Sequence, residues 1–226
     1  MSPPQTIAID GPAGVGKSTI GRLLADQHGY VFLDTGALYR AVSLAALQHG
    51  TDASDALALA ALADALDIRF LPPLPGSSAM YRVCLDGADV TDGLRSPEVE
   101  AIVSEVSAHP QVRAALLARQ RELARTAPSV LVGRDIGTVV LPDADLKVFL
   151  EASLEERSRR RFLELQAKGR EVDLQTVLAE LQHRDRIDSG RAASPLRVPD
   201  DAIVIDTDNK PVEQVLEEIE QHMRSR

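Results

Sequence analysis

The chain has 226 residues, 44% of them apolar, enough to bury a sizeable core as one large domain or as a core with small insertions. A formal net charge of −9 argues against a general nucleic-acid binder, which needs a basic face to release counterions from a polyanion, whereas a small anionic ligand needs only a local cationic pocket. The opening residues carry no basic, apolar, small-residue secretion pattern, and no apolar run nears the roughly eighteen residues of a spanning helix, so a cytoplasmic protein with no membrane partner is expected.

Thr6-Ile-Ala-Ile-Asp10 reads as a short buried strand. It runs into Gly11, Pro12, Ala13, Gly14, Val15, Gly16, Lys17, Ser18 and Thr19, whose order of a glycine, four residues and Gly-Lys-Ser/Thr is that of a phosphate cradle. A glycine-rich turn lets successive backbone N–H groups face a phosphate, and the helix opening at Lys17 adds the positive end of its dipole. Lys17 would reach the outer phosphates, and the Ser18 hydroxyl would hold Mg2+. Ile20, Leu23 and Leu24 recur at helical spacing, and Gly29 stops that helix near His28. Tyr30-Val-Phe-Leu33 follows as a second strand. Strand, helix and strand make a parallel crossover, with ligands expected past the carboxyl ends, where Asp34 and Thr35 sit.

Ala37 to Leu47 and Ser54 to Leu66 read as helices. From Ile68 to Thr91 the character changes: Ile68-Arg-Phe70, a proline-rich loop from Leu71 to Ser78, Met80 to Leu85, then Asp86-Gly87, a hairpin signal, and Ala88 to Thr91. This predicts a small antiparallel sheet inserted into an α/β core. The single cysteine, Cys84, lies in its alternating run, where half-buried packing and a reducing compartment account for it. Ser96-Pro97-Glu98 opens a helix by the cap-then-proline rule, and another runs from about Gln111 to Thr126. Val130 to Val132, Leu146 to Leu150 and Ala202 to Ile205 are further β-branched runs suited to a sheet covered on both faces, which makes five core strands. Ser153-Leu-Glu-Glu156 is a capping box, Asp173 caps the next helix, and Val212, Val215, Leu216, Ile219 and Met223 mark a terminal amphipathic helix.

The segment from Leu154 to Arg191 carries nine Lys or Arg against eight Asp or Glu, nearly neutral in a clearly acidic chain, and only 4 of the 25 cationic residues overall are lysines. Arginine's planar fork matches phosphate oxygens in a bidentate way that an ammonium cannot. For any one of Arg157, Arg159, Arg160 and Arg161, a solvated helix laced with ion pairs to Glu155 and Glu156 is an equal alternative. Arg184, Arg186 and Arg191 form a second group. Two more segments lie past strand ends, Asp34-Thr-Gly-Ala-Leu-Tyr-Arg40 and Gly133-Arg134-Asp135-Ile-Gly-Thr138, and couple charged side chains to glycine where a bare connection needs neither. His28, His49, His109, His183 and His222 are scattered, with no partner motif.

Ile9 to Thr19, Leu33 to Arg40, Val132 to Val140 and Arg184-Asp-Arg-Ile-Asp-Ser-Gly-Arg191 with Ser194-Pro-Leu196 together resemble the bacterial cytidylate kinases, nucleoside monophosphate kinases with a P-loop core. The resemblance implies an α/β fold: a P-loop core with a five-stranded parallel sheet flanked by helices, a small antiparallel insertion in the NMP-binding region, and a helical lid. The implied regions are a core at about 1–35, 128–153 and 192–226, an NMP-binding region at about 36–127 with its insertion at 68–95, and a lid at about 154–191. Thr35, Ser104, Arg113 and Asp135 would face the cytosine base. Arg40, Arg134 and Arg191 would hold the acceptor phosphate, Arg184 and Asp188 would sit near the sugar, and Arg157 and Arg161 would lie in the lid over ATP. Val132 departs from the pattern, since the family often has an acidic residue before Gly133.

The expected reaction moves the γ-phosphoryl of ATP to CMP, and to dCMP, giving CDP or dCDP and ADP. A phosphate monoester has a second pKa of about 6, so the attacking oxygen is already deprotonated and no general base is needed. Lys17, Arg134, Arg191 and Arg161 would neutralise charge in the transition state together with Mg2+ on Ser18. Asp135 can accept from the amino group of cytosine, whereas uracil presents a carbonyl there, so CMP is expected to be preferred to UMP. The alternative is a P-loop kinase for another small acceptor such as UMP. A GTP-dependent switch would need a guanine-reading Asn-Lys-x-Asp, but the only asparagine, Asn209, precedes Lys-Pro-Val. No long apolar stripe calls for a partner chain, and a monomer is expected.

Overall fold

The computed structural model describes residues 3–77 and 79–225; Ser78 of the proline-rich loop, and residues 1, 2 and 226 of the expected core, lie outside that description. In chain order the elements begin with strand β1 (Thr6–Asp10), helix α1 (Lys17–His28), β2 (Val31–Asp34), α2 (Thr35–His49), α3 (Ala56–Ala65), β3 (Ile68–Leu71), β4 (Arg82–Leu85) and β5 (Ala88–Asp89). They continue with α4 (Pro97–Ala108), α5 (Pro110–Ala124), β6 (Ser129–Gly133), β7 (Leu146–Glu151), α6 (Leu154–Ala167), α7 (Leu174–Gly190), β8 (Ile203–Asp206) and α8 (Val212–Arg224). A π-helical turn, Ile136–Val140, follows β6. The chain divides into two compact units, Met1–Leu33 with Ala124–Arg226, and Asp34–Leu123.

The first unit is built on a five-stranded sheet in the order β2-β6-β1-β7-β8. β1 pairs in parallel with β6 on one side and β7 on the other, so the central strand is the one that feeds the cradle. β6 lies between β1 and β2, so the β1-α1-β2 crossover steps over one strand position. One face is covered by Ile20, Leu24 and Ala25 of α1 and by Val215, Leu216, Ile219 and Met223 of α8, packed on Ile7, Ile9, Val130, Val148 and Leu150. The alternate residues Ala8, Leu131 and Phe149 are buried as well, so neither face of the central strands meets solvent, which is why these strands read as continuous apolar runs. Val132 belongs to the same core, and a Cβ added at Gly21 of α1 would come within 2.5 Å of its Cγ1. The departure from the family pattern at this position is therefore a packing contact on a helix that leaves it room.

α6 and α7 pack together over Ala13, with Leu165, Val177 and Leu181 buried between them. Ser153 caps α6 by accepting from the Glu156 N–H, and Asp173 caps α7 by accepting from Thr176 N–H. The return half of the expected capping box takes a different form: the Ser153 N–H donates to Asp208, and the Glu156 carboxylate holds Arg159 and Arg160. Two guanidiniums within reach of one carboxylate outcompete a neutral backbone donor.

In the second unit α2 is the central helix, buried through Ala37, Leu38, Tyr39, Ala41, Val42, Ala45 and Ala46 against α3, α4 and the inserted strands. The insertion is an antiparallel sheet in the order β3-β4-β5, in which Arg69 faces Cys84 and Cys84 faces Asp89. Asp86 and Gly87 both adopt positive φ, 49° and 86°, the pairing a tight hairpin turn requires. β5 is only two residues long: the Val90 N–H still donates to Val83 O, but the Val83 N–H donates to the Thr91 side-chain hydroxyl in place of a backbone carbonyl. Asp34, Asp55 and Ser96 cap α2, α3 and α4 through their side chains, each worth about 1 kcal/mol.

Candidate active site

The cradle occupies the turn between β1 and α1. Gly11 has φ +149°, and a Cβ there would collide with the carbonyl oxygen of Leu150 on β7, so only glycine lets the chain leave the central strand along this path. Gly16 adopts the left-handed conformation as the residue before the helix, and α1 starts at Lys17 with its first N–H groups bordering the turn. Lys17 is buried, and its Nζ donates to the carbonyls of Gly11 (2.7 Å) and Pro12 (2.6 Å), which holds the ammonium inside the curve of the loop. Ser18 is half-buried in the first turn of the helix. Its hydroxyl is a single hard oxygen, the kind of ligand that Mg2+ accepts.

Arg157 braces the cradle from α6. Its guanidinium donates to Ala13 O at 3.1 Å and Ala152 O at 3.1 Å and pairs with Asp185 at 2.8 Å. Arg161 pairs with Glu164 one turn along. Arg159 and Arg160 hold Glu156, and Arg160 also donates to Thr207, so these two serve the helix and its attachment to the sheet.

At the carboxyl end of β6, the neighbour of β1, the same unit assembles a second charged cluster. Arg134 donates through Nε to Asp188 at 2.7 Å. Arg191 is buried; it lies 3.5 Å from the other oxygen of Asp188 and 3.6 Å from Asp135, and its Nε donates to Ser194 O at 2.7 Å. Burial raises the Asp188 pKa, but Arg134, Arg184 and Arg191 outweigh it and hold the carboxyl below the ordinary range. Two arginines and two aspartates are thus interleaved, with the half-buried Arg184 adding to the positive side. Asp188 holds Arg134 by a hydrogen bond to Nε and Arg191 by a looser ion pair, and the Ser194 carbonyl takes the Arg191 Nε.

Beneath this cluster lies a residue that sequence reasoning passed over. Asp10, the last residue of β1, is 1% exposed and accepts from the N–H groups of Ile136 and Gly137, both at 2.7 Å. Burial, opposed by those two hydrogen bonds and by Lys17 and aided by Asp135, raises its pKa to about 6. Its only signal in the sequence is a charged residue closing an apolar run.

The second unit carries its own set. Arg40 is buried on α2; its Nε donates to Glu100 of α4 at 2.8 Å, and Nη1 lies over Gly36, where a Cβ would come within 2.9 Å. Burial works against its charge, but Glu100 and Asp34 more than compensate and push its pKa further up. Asp34 also accepts from the Tyr81 hydroxyl at 3.2 Å and lies 3.7 Å from Arg95. Burial, with Asp34 adding to it, drives the Tyr81 phenol well above its usual range. Thr35 is buried at the start of α2, and Ser104 is half-buried on α4. Arg113 is buried on α5, donates to Ser107 O at 3.1 Å and stacks its guanidinium 5.1 Å from the Tyr39 ring centre. The first unit therefore collects Arg134, Asp135, Arg184, Asp188 and Arg191 around one strand end, and the second collects Arg40 and Arg113 with Glu100, Asp34 and Tyr39 about α2. Glu100, Tyr81 and Arg95, like Asp10, escaped sequence reasoning.

A parallel sheet whose central strand opens into a glycine-rich cradle with its lysine, beside a cationic cluster at the end of the adjacent strand, defines a P-loop kinase. A gluconokinase from Sinorhizobium meliloti 1021 shares the fold, with a TM-score of 0.52 over 100% of this chain and 94% of that one, at 17% identity. The family model described as cytidylate kinase matches residues 7–225. Proteins named cytidylate kinase from Geobacter sulfurreducens and Symbiobacterium thermophilum are each 49% identical, over 97% and 96% of this chain and 93% and 95% of their own lengths. The chain belongs to the cytidylate kinase family and is a nucleoside monophosphate kinase. Among the described residues, no helix is long and apolar enough to cross a membrane.

Proposed function

We propose that the protein transfers the γ-phosphoryl group of ATP to CMP, and to dCMP, in the cytoplasm and as a monomer. The observation that carries this is the interleaved cluster of Arg134, Asp135, Asp188 and Arg191 one strand away from the cradle. An uncharged acceptor has no need of a second guanidinium site, whereas an acceptor that is itself a phosphate does.

Residues Gly11 to Thr19 bind the donor's phosphates, with Lys17 on the outer ones. Ser18 would hold Mg2+, which would supply positive charge against the phosphates. Arg134, Arg191 and Arg40 hold the acceptor phosphate, Arg184 and Asp188 its sugar, and Thr35, Ser104, Arg113 and Asp135 its base. Arg157 and Arg161, in the lid at about 154–191, cover the donor. The chemistry is charge neutralisation and alignment. The attacking oxygen is ionised at neutral pH, so the chain's task is to bring two polyanions together and keep water from the γ-phosphate.

Asp135 discriminates the base because a carboxylate accepts from the cytosine amino group but meets a carbonyl on uracil, acceptor against acceptor. The test is an ADP-release assay with ATP and CMP, dCMP, UMP or AMP at matched concentrations. CMP and dCMP are expected to lead, and specificity constants for UMP equal to those for CMP would overturn the assignment.

A further inference from the structure

The turn after β6 starts with an aspartate that does not do what aspartates at that position usually do. Asp135 is the residue before a helical turn, where its side chain would ordinarily accept from the first N–H groups, yet it makes no such cap bond. Its carboxylate lies instead 3.6 Å from Arg191. The N–H groups of Ile136 and Gly137 are served by Asp10, which reaches them from β1 across 126 and 127 positions of sequence.

We infer that Asp10 is a positioning residue for the acceptor: by capping the turn in place of Asp135, it leaves the Asp135 carboxylate to the base and fixes the backbone from which Arg134 and Asp135 project. This rests on the proposal that Asp135 reads the base. Three features support it. The two bonds are short, and both are fully buried. Two adjacent buried donors left without an acceptor would each cost about 1 to 3 kcal/mol, so without Asp10 the turn would draw on another acceptor, and Asp135, the residue that precedes it, stands at the capping position. Finally, Asp10 is covalently adjacent to Gly11, so the strand end that sets the cradle's first glycine also sets the turn carrying the acceptor residues.

Asp10→Asn tests this. An amide keeps the shape but offers only one acceptor oxygen to the two N–H groups. The expected result is a rise of about tenfold or more in KM for CMP and an about tenfold narrower preference for CMP over UMP, with KM for ATP changed about twofold at most. An unchanged CMP-to-UMP ratio overturns the inference, whatever happens to ATP. Asp135→Ala is measured alongside. If its ratio is also unchanged, the base assignment falls and takes the inference with it; if its ratio collapses while that of Asp10→Asn does not, the positioning role alone falls. Should Asp10→Asn not fold, amide hydrogen exchange at Ile136 and Gly137 of the wild-type enzyme decides. Both amides should stay protected when CMP binds, and faster exchange in the CMP complex would overturn the role.

Discussion

The cradle and the arginine cluster at the end of β6 lie in the same unit and on adjacent strands, yet they are built from different materials. The cradle is backbone: left-handed glycines, the opening N–H groups of α1, and a single ammonium folded onto loop carbonyls. The cluster is side chain: guanidiniums held in place by the carboxylates of Asp188 and Asp135. A backbone site fails when the path of the chain is changed and otherwise tolerates side-chain variation. A side-chain site fails charge by charge, because removing one partner leaves the others unbalanced.

The sharpest way to break the cradle is therefore steric. Gly11→Ala must push a methyl into the Leu150 carbonyl, and ATP binding measured by calorimetry should be lost while far-UV circular dichroism retains the folded spectrum. The cluster should break by charge: Arg134→Ala should lower turnover with CMP by roughly two to three orders of magnitude, as loss of one preorganised donor does. ATP affinity should be little altered, and near-full activity in a folded variant would contradict the assignment.

Beneath both sites, Asp10 predicts a pH signature. With its folded pKa raised from 3.8 to about 6, Asp10 contributes stability at low pH that is lost as pH rises through about 6. The stability of wild type relative to Asp10→Asn should fall by on the order of 3 kcal/mol between pH 4 and pH 7. Denaturant titrations of the two proteins across that range give the sign, and a rise would contradict it. The smallest effect is expected at Arg159, which is well exposed and paired only along its own helix. Arg159→Ala should change stability by no more than about 1 kcal/mol and leave activity with CMP intact.

The same contrast decides what could be read from the sequence. Gly11 to Thr19, the capping residues Ser96, Ser153 and Asp173, and the Asp86-Gly87 hairpin act on near neighbours in the chain, so residue type and spacing carry the information. The β-branched runs were equally legible, because strands buried on both faces leave a continuous apolar trace.

Asp10 bonding Ile136, Glu100 bonding Arg40 and Tyr81 bonding Asp34 are pairs 126, 60 and 47 positions apart. Nothing local distinguishes such a carboxylate or phenol from a surface one. Residue type and spacing give Arg113 and Ser104 nothing that separates them from helix-surface residues; the family resemblance alone singles them out. In the structure Arg113 is buried with its guanidinium over Tyr39, a contact whose partner is set by the packing of α2 and α5. Glu156 shows the converse: the motif correctly located the start of α6, but two nearby arginines decided where the carboxylate pointed.

The central claim is that two nucleotides are held at once, one by the backbone cradle and one by the guanidinium cluster. Calorimetric titration of CMP into enzyme saturated with a non-hydrolysable ATP analogue and Mg2+ tests it most directly. The account predicts one further equivalent of CMP bound, and its loss in Arg134→Ala; CMP that binds only by displacing the ATP analogue would contradict it.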